Sequence, residues 1–305
     1  MTEAQVNGTE RSELPRWGLE EGDEIVPGRF AIGGLGASDA FETYLAWDDR
    51  LAFLVVAKLL RPHLVGEARP LASLANEADL LERLAHPVLV RGFGAVLEGP
   101  RPHLVLEHLE GPHLSRLLRV HGPLPAEQLF PLAMDLCSAL HYLAGEDVVH
   151  LDVKPRNVIM GVPPRLIDLS IAHSVEQARH IRGLFGTDPY MAPEQCDPGR
   201  APIGPPTDVW GLGATLYHAV AGAVPFPREE GFDPNDTLAR FPQLDGWPLP
   251  LPDEVPAGLS EIIFQCLEEE PADRPTAGDV ALAFEPFVTA LPDHVTLRML
   301  RPRVR

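Results

Sequence analysis

Lysine is almost missing from this chain. Of 305 residues only Lys58 and Lys154 are lysine, against 23 arginines. Positive charge as a whole is short: the net charge is -19. That argues against nucleic acid as a partner, because a phosphate backbone is met by a dense basic face. Cysteine is sparse too, with Cys137, Cys196 and Cys266 far apart, no CxxC and no even-numbered set. Such spacing excludes a disulfide framework and fits reduced thiols in a cytoplasmic protein. No apolar run approaches the roughly 18 residues of a membrane span; the densest, "LAFLVVA", reads as a buried strand. The chain also lacks GxxxxGK[ST], HExxH and GxSxG, and its 12 histidines show no metal-ligand spacing. Residues 1–26 are polar and acidic (Glu3, Glu10, Glu13, Glu20, Glu21, Asp23, Glu24), which excludes a secretory leader and predicts a solvated, partly disordered extension.

Beyond that extension the chain changes character. "RFAIGG", "ETYLAWD" and "LAFLVVAKLL" are rich in Phe, Val, Ile and Tyr and predict strands. "RPLASLANEADLLERLA" then places Leu71, Leu74, Ala78, Leu81 and Leu84 at helical spacing, and His86-Pro87 stops it. Two further strands are expected in "LVRGFGAVLE" and "RPHLVLEHLE". After "GPHL" the pattern turns helical, and "AEQLFPLAMDLCSALHYLAGED" reads as a long helix whose first turns Pro131 should disturb. A loop-rich stretch covers 146–206. Helices are expected near 207–222, 257–267 and 276–287, and a proline-rich stretch with one short helix near 223–256. Cys137 and Cys266 fall in helical patterns and are expected in the core. A strand-rich part therefore precedes a helical part.

The two lysines sit among carboxylates. Lys58 ends a buried strand, where an ammonium needs a partner, and Glu77 on the next helix could supply it. Asp152 and Asn157 flank Lys154, and Asp168 follows the short apolar strand "RLID". An Asn and an Asp are hard oxygen ligands suited to Mg²⁺. Asp152, set apart, can accept a proton from a hydroxyl. Together these groups make a phosphoryl-transfer site, where positioning and charge neutralisation do most of the catalysis.

The ordered set "VVAK", "NEADLLERLAHPVLV", "HLDVKPRN", "IDLS", "GTDPYMAPE", "DVWGLG" and "ADRPT" resembles the eukaryotic-like serine/threonine protein kinases of bacteria. The resemblance covers residues 28–288. It implies an α+β, bilobal protein-kinase-like fold: a small antiparallel-sheet N-lobe with one helix over 27–109, and a larger, mainly helical C-lobe over 110–290. A basic tail, 291–305, follows; its Arg298, Arg301, Arg303 and Arg305 could dock on the acidic body, bind a partner or remain solvated. The resemblance further implies Asp152 and Lys154 as catalytic residues and Asn157 and Asp168 as Mg²⁺ ligands. ATP would be held by Gly36, Ser38, Thr43, Val56, Lys58, Glu77, Glu107, Leu109 and Ile159. Arg274 would pair with Glu194, and His150 would be a packed residue rather than a base. Lysine two residues after Asp152, with Thr187, is the serine/threonine pattern, so the implied partners are protein substrates with Ser/Thr acceptors and a regulatory protein.

Several positions depart from the family. Counting back from Lys58 puts Gly36, Ser38, Phe41 and Thr43 where relatives have three glycines and a valine. A second register, on Gly34 and Gly36 with Asp39 in third place, needs two extra residues and is less favoured. Val56 replaces an alanine, and Ser170 ends the metal-binding triplet in place of glycine. Leu151 stands where many relatives carry an arginine that pairs with a phosphorylated activation segment, a bond leucine cannot make. The segment from Val175 to Gly186 contains no Ser, Thr or Tyr. Activity independent of activation-loop phosphorylation (a non-RD type) is therefore expected. The alternative is a pseudokinase that binds nucleotide or acts as a regulatory scaffold. A small-molecule kinase of the aminoglycoside type is disfavoured by "MAPE" and "DVWGLG".

Overall fold

Alternation along one strand organises the N-terminal part. In Phe53–Leu60, Val55, Ala57 and Leu59 are fully buried on one face, while Val56 and Lys58 point to the other. A computed structural model describes residues 14–292, so the Arg-rich C-terminal run lies outside the described residues. These fall into two units: one takes the chain up to Ala85 together with Val90–Leu109, the other takes His86–Leu89 and the chain from Glu110 on.

The first unit is an antiparallel sheet in the order β1-β2-β3-β4-β6-β5. Its strands are β1 (Glu24–Val26), β2 (Arg29–Ala37), β3 (Phe41–Asp48), β4 (Phe53–Leu60), β5 (Gly92–Val96) and β6 (His103–Glu107). Ile25, Ala31, Tyr44, Ala46, Val55, Ala57, Leu59 and Val105 form the core of one face, with Trp17 and Leu19 packed against it. The extension expected over 1–26 as solvated and partly disordered is ordered over residues 14–26, with Glu20–Glu24 exposed as expected but Trp17, Leu19 and Ile25 turned to the core. The segment carries enough apolar surface (Trp17, Leu19, Ile25) to dock, and Glu24–Val26 pairs with β2. Helix α1 (Ala68–Arg83) buries Leu74, Glu77, Leu80 and Leu81 on a single stripe.

The second unit is mainly helical: α2 (Leu114–His121), α3 (Ala126–Gly145), α4 (Val175–Ala178), α5 (Pro193–Cys196), α6 (Pro205–Ala221), α7 (Thr237–Arg240), α8 (Ala257–Cys266) and α9 (Ala277–Thr289). Short pairs β7 (Val148–Val149) with β10 (His173–Ser174), and β8 (Val158–Ile159) with β9 (Arg165–Leu166), pin the loops between α3 and α5. Helix α3 runs through Pro131 without a break. Proline there forfeits one main-chain bond, and burial of Leu129, Phe130, Leu132 and Ala133 on both sides keeps the turn closed. Phe130 also meets Phe284 and Phe287 of α9, at centroid distances of 6.3 and 5.4 Å. Cys137, Cys196 and Cys266 are all buried thiols, and burial pushes Cys266 up to about 12.

Helix α6 is buried along nearly its whole length, and its glycines are contact points. A Cβ on Gly211 would lie 3.0 Å from Val153 in the loop after β7, and one on Gly213 would lie 2.6 Å from Cys266. Beside this helix Arg274 forms a two-pronged pair with Glu194: Nη1 donates to Oε1 at 2.7 Å and Nη2 to Oε2 at 2.9 Å. Thr207 Oγ1 also donates to Glu194, and the guanidinium lies 5.0 Å from the Trp210 ring centroid. Both charged side chains are almost wholly buried, so neither ion tolerates loss of its partner. Arg274→Met should lower stability by about 3–5 kcal/mol in urea unfolding, the range for breaking a buried pair on one side.

Candidate active site

In the first unit the site is the face of β3 and β4 opposite the apolar core. Thr43 is registered against Lys58 and Leu45 against Val56, so these side chains share a face. Lys58 Nζ donates to Glu77 Oε1 at 2.9 Å and Oε2 at 2.7 Å, with both groups buried. The partner expected for Lys58 from burial alone is thus in place.

The β2–β3 turn carries the degraded glycine positions. Gly36 is registered opposite Thr43, whose Oγ1 donates to the Gly36 carbonyl at 3.1 Å. The Ser38 amide donates to the Phe41 carbonyl at 2.8 Å, and the Phe41 amide to Ser38 Oγ at 3.1 Å. The turn thus spans Ser38 to Phe41. Phe41 is buried and its ring centroid lies 4.8 Å from Lys58 Nζ. A ring face attracts a cation, so this ring lies against the ammonium. Counting residues located Phe41 but not this contact. Glu107 Oε1 accepts from the Arg91 amide at 2.7 Å, Leu109 is the last residue of the unit, and Ile159, in the second unit, is buried.

In the second unit the loop after β7 is held by one carboxylate. Asp208, in the first turn of α6, accepts the His150 amide at Oδ2 and the Leu151 amide at Oδ1, both at 2.7 Å. Burial pushes the Asp208 carboxyl up, and the two amides and His150 oppose that shift. Leu151 has φ 67 and Asp168 φ 71, left-handed values that an L side chain rarely adopts. Such backbone persists only where its surroundings over-determine it. At Leu151 the surroundings are Asp208 and the Gln195 amide group, which donates to the Leu151 carbonyl at 2.9 Å. His150 is fully buried, with Nδ1 facing the Asp152 amide at 3.3 Å and Nε2 the Ile167 carbonyl at 3.3 Å, and so is a packed residue.

Asp152 is the centre of this loop. Its Oδ2 accepts from Lys154 Nζ at 2.5 Å and from Asn157 Nδ2 at 2.9 Å. Its Oδ1 accepts the Thr187 hydroxyl at 2.8 Å, and Lys154 Nζ also donates to Thr187 Oγ1 at 2.5 Å. A hydroxyl is therefore held between a carboxylate that takes its proton end and an ammonium that meets its oxygen. The Ile167 amide donates to the Asn157 carbonyl at 2.8 Å, so Asn157 and Asp168 sit on adjacent segments. With its amide nitrogen turned to Asp152, Asn157 keeps its side-chain oxygen for other use. An amide oxygen and a carboxylate on neighbouring segments suit a hard divalent cation. Asp208 and Gln195, which hold the loop in shape, carry no spacing signal beyond lying inside "DVWGLG" and after "MAPE".

Comparison with known proteins agrees with this geometry. Residues 34–283 match the model of the protein kinase domain. The chain is 33% identical over 235 residues to the serine/threonine-protein kinase PkaA of Streptomyces coelicolor, covering 74% of this chain and 42% of that protein. It is 28% identical over 260 residues to the serine/threonine-protein kinase PknB of Mycobacterium leprae, covering 81% and 40%. Against the serine/threonine-protein kinase pkn2 of Myxococcus xanthus the identity is 30% over 267 residues, covering 82% and 31%. The chain belongs to the protein kinase domain family, with the α+β fold of that family. It spans less than half the length of these curated relatives. Among the described residues no helix is long and apolar enough to cross a membrane.

Asp208→Ala should release the loop. The His150 and Leu151 amides should lose at least about tenfold in hydrogen-exchange protection, because a bond to a charged acceptor is worth about 1.5–3 kcal/mol. Unchanged protection would mean that packing alone holds Leu151.

Proposed function

We propose that this chain transfers the γ-phosphoryl group of ATP to Ser/Thr hydroxyls of protein substrates, with Mg²⁺ required. The hydroxyl oxygen bonds to the γ-phosphorus, the bond from that phosphorus to the bridging oxygen breaks, and ADP leaves. The hydroxyl proton goes to Asp152. Lys154 steadies the transferring group and Lys58, fixed by Glu77, binds the α/β-phosphates. Asn157 and Asp168 would hold Mg²⁺, which when bound neutralises phosphate charge. Gly36, Ser38, Thr43, Val56, Glu107, Leu109 and Ile159 would line the nucleotide site. The observation that carries this function is the Thr187 hydroxyl between Asp152 and Lys154, an arrangement that suits an acceptor hydroxyl equally well. In labelled ATP with Mg²⁺ and a mixed Ser/Thr peptide library, the wild type should transfer phosphate. Asp152→Asn should lose at least about a hundredfold, the lower end for a positioned general base.

A second reading is supported by the Phe41 ring on Lys58, which covers the ammonium a phosphate would need. On that reading the chain is a pseudokinase that binds nucleotide or scaffolds a partner. Wild type that binds nucleotide yet transfers no more than Asp152→Asn would establish it.

Regulation follows from Leu151. In place of an arginine waiting for phosphate, the Leu151 side chain is buried with Val149, Ala178 and Ile203, against which Ile171, Val175, Ile181 and Phe185 pack. Ser174, the hydroxyl ahead of this segment, caps α4 by accepting the Gln177 amide at 3.2 Å. Apolar packing thus does here what a phosphate-arginine bond does elsewhere. Activity should not depend on activation-loop phosphorylation: phosphatase-treated and untreated enzyme should show equal initial rates. A large loss restored by autophosphorylation within residues 170–190 would contradict this.

A further inference from the structure

The segment from Leu14 to Leu19 crosses the face of the sheet opposite Lys58. Its indole anchors it: Trp17 Nε1 donates to the Leu60 carbonyl at 2.8 Å, and the ring lies 5.3 Å below the Arg101 guanidinium. The Trp17 amide donates to Glu42 Oε1 at 3.1 Å, while Glu42 Oε2 accepts the Tyr44 hydroxyl at 2.7 Å. Glu42 is buried and directly follows Phe41 in the chain, so its side chain ties the β2–β3 turn to the segment.

Arg61 makes the second tie. It is only 1% exposed, at the end of β4. Its Nη1 donates to the carbonyls of Leu14 at 3.3 Å and Pro15 at 3.2 Å. Its Nε donates to the Ser38 carbonyl at 2.6 Å, and its main-chain amide to the Ala40 carbonyl at 2.9 Å. One planar fork therefore bonds the N-terminal segment on one side and the turn on the other, which a lysine's single nitrogen could not span. The turn carries Phe41, whose ring covers Lys58. Ser38 and Ala40 are fixed by Arg61 and Glu42 by Trp17, so the backbone on both sides of Phe41 is held.

We infer that Arg61 is a positioning residue through which the segment 14–19 holds Phe41 against the Lys58 ammonium and so sets nucleotide affinity. This rests on the kinase reading for its meaning, but its test is direct binding and does not need turnover. The full chain, Arg61→Gln, Trp17→Ala, Phe41→Gly and the two doubles with Phe41→Gly are titrated with a fluorescent ATP analogue and Mg²⁺. Arg61→Gln and Trp17→Ala should each tighten binding by about three- to thirtyfold, the range of a released cation–aromatic contact. Phe41→Gly should do the same, and in its background the other two substitutions should add nothing. Damage to folding would instead weaken binding and lower Tm in every background. Affinity that is unchanged or weaker in both single variants, or gains that persist without Phe41, would overturn the inference. If Arg61→Gln does not fold, Trp17→Ala carries the same comparison. A wild type that binds the analogue but transfers no phosphate would sink the kinase reading and leave this inference standing. Absence of binding by every variant would overturn both.

Discussion

An ammonium out of water must meet negative charge, and this chain has only two to place. Each is met: Lys58 by Glu77 and Lys154 by Asp152, in pairs whose lysine side chains are 8% and 13% exposed. The surrounding structure is arranged around that requirement. Glu77 sits on the buried stripe of α1, where an unpaired carboxylate would be costly, so the helix and β4 are tied together by chemistry as well as by packing. Asp152 stands in a loop whose backbone is held by Asp208, so the second pair depends on α6.

Rigidity in the second unit is therefore built from the inside outward. Helix α6 supplies Asp208 to fix the amides of His150 and Leu151, and Gly211 to let Val153 approach. The positive φ at Leu151 is over-determined by those bonds. Its side chain then becomes available to the apolar cluster that seats the segment from Ile171 to Phe185. Leu151 thus meets the core, next to a segment that carries no Ser, Thr or Tyr between Val175 and Gly186.

What the sequence could tell differs between the two kinds of constraint. Strand alternation in "FLVVAKLL", the periodicity of α1 and the carboxylates around the lysines were legible because each reflects a local rule: period, burial of charge, ligand type. Lys58–Glu77 and Glu194–Arg274 appear as expected. The docking of residues 14–26 was not legible, because acidic composition predicts solvation whereas three apolar side chains decide the packing. Likewise Pro131 signals disturbed first turns, but the burial of its neighbours keeps the helix continuous there. The Phe41 contact with Lys58 depends on a rotamer, and the Arg61 fork reaches back 23 residues to Ser38 and 46 to Pro15, neither of which leaves a spacing pattern. Unabsorbed polarity was the missed clue: Arg61 follows a buried strand with no acid beside it in sequence.

These two positions need a compact point charge, which the broad guanidinium used elsewhere in the chain cannot supply. Lys58→Arg and Lys154→Arg, made singly in the full chain, test it most directly. Phosphate transfer from labelled ATP to a Ser/Thr acceptor should fall at least about a hundredfold in each, as for loss of one preorganised charge contact, while Tm stays near the wild type. Transfer at the wild-type rate with arginine at either position would contradict it.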